Sequence, residues 1–323
     1  MIHVTQGHER GIGLEVFFKA LQLAPRSWST EFRLYATERA VRATMGFLGF
    51  PFELTPSGIH FSGFSLSTTW VSPSAKLPES TVCFVEGLAH AVADARGVLF
   101  TLPTTKEDLR DPATPKKLFL GHTELLRHLF DAPDLGMFFV SPQLRALLLT
   151  DHVPLSLVPT VLTARALKSK MSLSLKTLRR LEPQLTRAYV AGVNPHAGEG
   201  GLLGRDELKL KSTLAGIRSP GLMIEGFLSG DSLLSRAQSP ADLLVYSFHD
   251  QGLAAFKALC GTVGANVTLG LPRLRLSVDH GTAFDLYGKN KADPLGALYC
   301  LRQSLVYQEK LYGKNSNFQG PRS

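Results

Sequence analysis

Four short stretches of the sequence set histidine in company that suggests chemistry. TDH places His152 after the apolar run LRALLLT, NPHAGEGG places His196 after RAYVAGV, and HDQGL places His249 after LLVYSF. In GHTE, His122 and Thr123 follow the short run KLFL. A single histidine behind a strand is more often hydrogen-bonded or half-buried than a ligand, and several among the 10 in this chain are also compatible with coincidence. Company argues the other way. Asp250 adjoins His249, and the glycines after His196 leave backbone amides bare enough to approach an anion. Imidazole and carboxylate without thiolate suit zinc, cobalt, manganese or magnesium, with coordination positions left open for a substrate. A catalytic metal is therefore one reading of these stretches.

Two glycine-bearing segments compete as phosphate or nucleotide loops. GHERGIGLE (residues 7–15) precedes a predicted helix whose first amides would face an anion. It lacks the third glycine of the dinucleotide fingerprint, and a plain tight turn explains it equally well. VDHGTAFDLYGK (residues 278–289) follows the run LRLSV and reads either as a nucleotide-contacting loop or as an ordinary strand-to-helix connection.

The elements that must position these residues alternate between short apolar runs and longer amphipathic ones, the pattern of an α/β protein. Strands are expected at TVCFVE (81–86), GVLFTL (97–102), KLFL (117–120), LRALLLT (144–150), RAYVAGV (187–193) and LLVYSF (243–248). Helices are expected over 14–23 and 173–185, with Pro183 kinking or shortening the second. Residues 51–77 mix glycine, proline and serine with scattered aromatics and read as irregular loop with short edge strands. The final stretch, YGKNSNFQGPRS, is polar and expected to fray. In open α/β sheets ligands bind beyond the carboxyl ends of the strands, where all four histidine stretches are expected to lie.

Composition narrows the class. The chain has 323 residues, 44% hydrophobic and 19% charged, enough for two domains of ordinary size. No apolar run approaches the ~20 residues a membrane span needs, and MIHVTQGHER lacks the features of a secretory signal. Cys83, Cys260 and Cys300 are odd in number and widely spaced, which argues against a disulfide framework and for a reducing cytoplasm. A net charge of +8 points to anionic partners. The basic stretch KSKMSLSLKTLRR (168–180) carries no interleaved aromatics, so it reads as a solvated helix face rather than a nucleic-acid platform.

Together HDQGL, NVTLGLP, SVDHGTAFD, NPHAGEGG, KMSLSLKTLRRLEPQL and GHTE resemble the 4-hydroxythreonine-4-phosphate dehydrogenase family of pyridoxal phosphate synthesis, densely over residues 99–293. The resemblance implies an isocitrate/isopropylmalate dehydrogenase-like α/β fold with two domains flanking a deep cleft, and a homodimer. Residues 1–118 with 262–323 would form the cofactor-side domain, and 119–261 the domain holding metal ligands and dimer interface. It implies NAD or NADP bound without a Rossmann fingerprint, and a divalent metal (zinc, magnesium or cobalt) on His152, His196 and His249, one of them donated by the partner subunit. Substrate contacts carry over to His122, Thr123, Lys257, Asn266 and Arg275, and cofactor contacts to His280, Gly281, Thr282 and Asp285. Lys257 and Asp250 are the candidate acceptors of the hydroxyl proton.

The sequence also departs from the family pattern. His8, Glu9 and Arg10 replace an acidic residue followed by Pro-Ala, Tyr287 stands in place of alanine, and Asn290 in place of glycine. Residues 25–95 match poorly. The first two departures touch the expected cofactor surroundings, so they bear on the choice between NAD and NADP. The expected activity is oxidation and decarboxylation of a phosphorylated hydroxy amino acid. Competing readings are the same chemistry on another phosphorylated hydroxy acid, a metal-dependent hydrolase using Glu199, and a basic phosphate-binding or nucleic-acid-binding module.

Overall fold

The computed structural model describes residues 1–313. The chain opens with β1 (Ile2–Thr5), α1 (Gly13–Leu23), β2 (Phe32–Ala36) and α2 (Glu38–Leu48). Three short strands follow, β3 (Phe52–Thr55), β4 (Gly58–Phe61) and β5 (Phe64–Trp70), then α3 (Glu79–Ala93), β6 (Val98–Thr101) and α4 (His122–Leu129). The middle of the chain holds β7 (Gly136–Val140), β8 (Arg145–Leu148), α5 (Val158–Val161), α6 (Ala164–Leu181), β9 (Arg187–Ala191) and α7 (Asp206–Gly216). It continues through β10 (Met223–Leu228), β11 (Asp242–Tyr246), α8 (His249–Cys260) and β12 (Ala265–Leu269). Finally β13 (Leu274–Val278) and α9 (Leu295–Tyr312) return to the first part.

The chain forms two units, one of residues 1–130 with the chain from Pro272 onward, the other Asp131–Leu271. These bounds lie somewhat further along the chain than the 118/119 and 261/262 divisions expected from sequence. In the first unit the strand order is β13-β6-β1-β2-β5-β4-β3, parallel from β13 through β5 and antiparallel beyond it. In the second it is β10-β9-β11-β8-β7-β12, with β10, β9, β11 and β8 parallel. The central parallel strands are buried along their length, β1, β6 and β11 without a break, as helices on both faces of a sheet require.

Local chemistry sets the boundaries. Thr37 and Thr163 cap α2 and α6 by accepting bonds from the amides of Ala40 (3.3 Å) and Ala166 (3.2 Å). Helix α6 stops at Leu181, two residues short of Pro183, whose ring excludes the helical conformation before it. On α6, Lys168, Lys176 and Arg180 face solvent while Leu167, Met171, Leu175 and Leu178 are buried, so the basic stretch is a solvated helix face.

Two expectations are corrected. TVCFVE is not a strand but part of α3, where Thr81, Cys83, Phe84 and Gly87 form the buried face. A continuous apolar run carries no period, so helix and strand are indistinguishable within it. KLFL forms no strand and contributes only an isolated bridge, Leu118 with Arg110. Residues 51–77 hold the short edge strands expected there, β3, β4 and β5, an antiparallel meander that ends the sheet and is followed by irregular chain over 71–77. Of the stretch expected to fray, Tyr312 ends α9, and residues 314–323 lie outside the described residues. No helix among the described residues is long and apolar enough to cross a membrane.

Candidate functional site

The second unit answers what the sequence left open, namely which strands are neighbours. Strands β10, β9, β11 and β8 are adjacent and parallel, so the chain leaves all four at the same end. Ser229, His196, His249 and His152 follow them in that order across the sheet. This is the carboxyl-end position at which open sheets bind ligands. The strand ends are stitched together. The Thr150 hydroxyl donates to Ser247 O (2.7 Å), the Ser247 hydroxyl to Ala191 O (2.9 Å), and the Gln251 amide to Gly192 O (2.9 Å).

The His152 and His249 rings lie 5.6 Å apart between centroids, a spacing that suits two imidazoles directed at one cation. His249 Nδ1 lies 2.7 Å from the Asp250 carboxylate. His196 Nδ1 faces the Ser229 hydroxyl at 3.5 Å, and that hydroxyl donates to Asp231 at 2.5 Å. Carboxylates or hydroxyls on one ring nitrogen are how proteins orient metal-ligating histidines, leaving Nε2 for the ion. The donor set therefore fits a divalent cation. Within one chain His196 does not complete the group. Among the described residues, His8, Glu9 and Asp108 are the only trio of candidate ligands whose atoms lie within 4.8 Å of one another.

The reason lies in NPHAGEGG. From His196 to Gly201 every residue has positive φ, including His196 (51°), Ala197 (53°) and Glu199 (42°). For residues bearing a Cβ this left-handed backbone costs ~1–2 kcal/mol each, so neighbouring structure must hold it. Buried Glu207 does so. Its Oε1 accepts from the amides of Val193 (2.7 Å) and Asn194 (2.8 Å), and the Asn194 side chain donates to Glu207 and to Asp206 (3.0 Å). A Cβ on Gly198 would sit 2.7 Å from Glu207 Oε2, so the glycine is needed for space as well as for φ. Backbone strain of this kind clusters at functional loops, and this turn carries a candidate ligand, His196. Asn194, Glu207, Ser229 and Asp231 were missed by sequence reasoning. Only the spacing of NPH from RDEL hinted at the first two. A cavity of about 530 Å³ beside this turn is lined by Leu155, Asn194, His196, Ser229, Asp231 and Gln251, among others.

Gly252 of HDQGL sets the seat of α8. A Cβ there would lie 2.7 Å from Leu148 Cδ2 and 2.9 Å from the Tyr246 ring, both in a fully buried cluster. Gly252→Ala is expected to cost ~1–3 kcal/mol through overpacking. Urea unfolding measures it, and a midpoint equal to that of the parent contradicts the packing argument. Further along α8, Lys257 is exposed. On β12, the Oδ1 atom of Asn266 is buried with no hydrogen-bond partner, the signature of an acceptor reserved for a ligand or a water.

The other substrate candidates belong to the first unit. Arg275 on β13 is 4% exposed, and its Nε and Nη2 donate to Thr101 Oγ1 on neighbouring β6, at 3.0 and 2.6 Å. Burial pulls its pKa down to about 10, still a cation at neutral pH. His122 opens α4 with its ring 5.0 Å from Phe84, and Thr123 beside it is buried. Burial, then the charge of Arg275, hold the His122 imidazole well below its usual range, so it is neutral at pH 7. The unfolded imidazole binds a proton near pH 6.5, so this group's contribution to stability is present above that pH and is lost as pH falls below it.

The cofactor candidates also have a setting. His280, Gly281, Thr282 and Asp285 lie on the loop after β13, and Thr282 O accepts from the amide of Ile12 (3.0 Å). That contact ties the loop to GHERGIGLE, which follows β1. A cavity of about 430 Å³ beyond β1, β6 and β13 is lined by His8, Arg10, Thr105, Glu107, Asp108, Phe284 and Tyr287. Asn290 takes φ 52°, a region asparagine shares with glycine, so its replacement of glycine is conformationally cheap.

The family model described as pyridoxal phosphate biosynthetic protein PdxA matches residues 61–303. The chain belongs to this family. A "D-threonate 4-phosphate dehydrogenase" from Cupriavidus necator is 34% identical over 323 residues, covering 94% of this chain and 96% of its own. The crystal structure of a 4-hydroxythreonine-4-phosphate dehydrogenase from Klebsiella pneumoniae superposes with a TM-score of 0.78 at 27% identity. It covers 95% of this chain and 99% of its own. An isocitrate dehydrogenase from Methylococcus capsulatus, 14% identical with a TM-score of 0.52 over 97% of this chain and 86% of its own, shares the fold alone. PdxA-family membership and the isocitrate dehydrogenase-like α/β fold thus agree with the resemblance read from the motifs.

Proposed function

We propose that the chain is a divalent-metal-dependent and NAD(P)-dependent dehydrogenase. It oxidises 4-phosphohydroxy-L-threonine to 2-amino-3-oxo-4-phosphohydroxybutanoate, which then loses carbon dioxide to give 3-amino-2-oxopropyl phosphate. The observation that carries this reading is the delivery of His152, His249 and His196 to one end of three adjacent parallel strands. A divalent cation held by these imidazoles would lower the pKa of the substrate alcohol, and the nicotinamide would accept the hydride.

The chain's own residues do the rest. Asp250 and the Ser229–Asp231 pair orient the ligand rings through Nδ1. With Asp250 engaged by His249, Lys257 is the residue assigned to take the hydroxyl proton. Arg275 offers a fixed, water-poor cation for an acidic group of the substrate, and His122 and Thr123 offer neutral hydrogen bonds. Asn266 Oδ1 supplies an acceptor for the substrate amine.

One imidazole is assigned to the partner subunit of a homodimer. The exposed leucines that flank the ligands in sequence support such an interface: Leu155 (65% exposed) and Leu157 near His152, Leu202 (80%) and Leu203 near His196. A second reading keeps the chemistry and changes the substrate to D-threonate 4-phosphate, on the strength of the Cupriavidus relative. The deciding experiment follows reduced nicotinamide at 340 nm with each substrate, with and without chelator. Metal-dependent turnover of 4-phosphohydroxy-L-threonine is expected. Turnover of D-threonate 4-phosphate alone would select the second reading, and no turnover of either would reject both.

A further inference from the structure

The exposed His196 ring is placed by its backbone rather than by its own contacts. Among the described residues its one hydrogen-bond partner is the Ser229 hydroxyl, at a long 3.5 Å. We propose that Glu207 is the positioning residue of the candidate cation site: it sets the NPHAGEGG turn before any ion arrives and so decides where His196 presents its imidazole. The inference rests on the reading above that His196 is a metal ligand.

The chain is pinned on both sides of the step that leads into the turn. At Gly192 the amide donates to Leu228 O (2.8 Å), at the end of β10, and the carbonyl accepts from the Gln251 side chain (2.9 Å). Gln251 Oε1 in turn accepts from the amide of Ser247 (2.8 Å), so Gly192 is tied to the start of α8 as well. Beyond Gly192 the hold passes to α7. Val193 and Asn194 give both of their amide donors to one oxygen, Glu207 Oε1, at 2.7 and 2.8 Å, and Pro195 has no donor to give. Asn194 Nδ2 reaches Glu207 Oε2 at 3.1 Å, and Asn194 O accepts from the Ala197 amide at 3.0 Å. The direction in which the chain leaves β9 for His196 is therefore set by one carboxylate.

The clasp is built for that carboxylate. Glu207 is 5% exposed, and among the described residues its hydrogen-bond partners are uncharged N–H groups, so only the clasp offsets its removal from water. A Cβ on Gly192 would lie 2.7 Å from Ala197 Cα and 3.0 Å from Glu207 Oε1, and one on Gly204 would run into the Asn194 amide. Every partner belongs to this chain, so the clasp closes without a ligand. A ligand residue placed in advance binds an ion without the cost of ordering its loop. A turn released from Glu207 would relax out of the left-handed region at His196, Ala197 and Glu199, carrying the imidazole with it.

The test titrates cobalt(II) alone into the intact protein, followed by visible absorption, for wild type, Glu207→Gln, His196→Ala and the double variant. Glu207→Gln keeps the volume but sets an amide N–H against one of the clasp's donors. It is expected to weaken cobalt binding at least about tenfold, the scale of outer-sphere changes, and to change it less than about twofold once His196 is alanine. A lower melting temperature with unchanged cobalt affinity would reduce Glu207 to a structural role and overturn the assignment. A loss that persists without His196 would overturn it too. A second measurement needs no variant: in metal-free wild type the Val193 and Asn194 amides are expected to be protected from hydrogen exchange, and zinc to change that protection less than about threefold. Protection that appears only with zinc would make the ion, not Glu207, the organiser of the turn. Wild type that binds no cobalt would overturn the metal reading, and this inference with it.

Discussion

His196→Ala is expected to abolish divalent-cation binding and turnover together while the protein stays folded. The imidazole is exposed, so removing it opens no core cavity, and alanine already occupies the next left-handed position, Ala197, with φ 53°. The turn is held from elsewhere, by Glu207 on the Val193 and Asn194 amides and by glycines at 198, 200 and 201. What would be lost is one of the three imidazole donors proposed for the cation, and two imidazoles hold a borderline ion far less well than three. Cobalt(II) titration followed by visible absorption should show at least about 100-fold weaker binding, beyond the 10–100-fold typical of outer-sphere changes. Circular dichroism melting should move by no more than a few degrees. Wild-type cobalt affinity in the variant, or activity that survives chelation, would remove His196 from the metal site.

That prediction draws on what the sequence made legible and on what it could not. Histidines behind apolar runs were visible because a buried parallel strand is a short continuous block and its carboxyl end is where polarity resumes. His152, His196 and His249 stand out for that reason. That they follow adjacent parallel strands at one end of the sheet was not visible, because the order β10-β9-β11-β8 does not follow the chain. The Asn194–Glu207 clasp spans a left-handed turn with no propensity signature, since His196, Ala197 and Glu199 adopt it only under tertiary constraint. TVCFVE misled because half-buried Val82 and Val85 are apolar between buried Thr81, Cys83 and Phe84, so residue type hides the helical period that burial keeps. The cavity at His8, Asp108 and Tyr287 draws on three loops far apart in sequence, and only the parallel alignment of β1, β6 and β13 brings them together.

Arg275→Lys is expected to raise the substrate KM by about 10- to 100-fold, the worth of one or two charge-assisted hydrogen bonds, and to leave NADH affinity within about twofold. Both residues are cations at neutral pH, so a test of charge alone predicts no change. The difference is geometric. Arg275 uses Nε and one Nη to grip Thr101 Oγ1, which fixes the plane of the guanidinium and the direction of its remaining N–H groups. A lysine ammonium can make one of these bonds but cannot hold a plane, and its flexible stem must be ordered on binding. It would also feel the burial that already lowers Arg275 to about 10; starting from an ordinary value near 10.4, a similar depression brings it toward neutrality. The Arg275→Lys variant should therefore lose substrate affinity most steeply above about pH 8, whereas wild type keeps its charge there. Steady-state KM across about pH 6.5–9, beside NADH titration of the free enzyme, separates the possibilities. A defect confined to NADH binding would transfer Arg275 to the cofactor site. An unchanged KM at every pH would show that the buried guanidinium serves the fold through Thr101 and never meets the substrate.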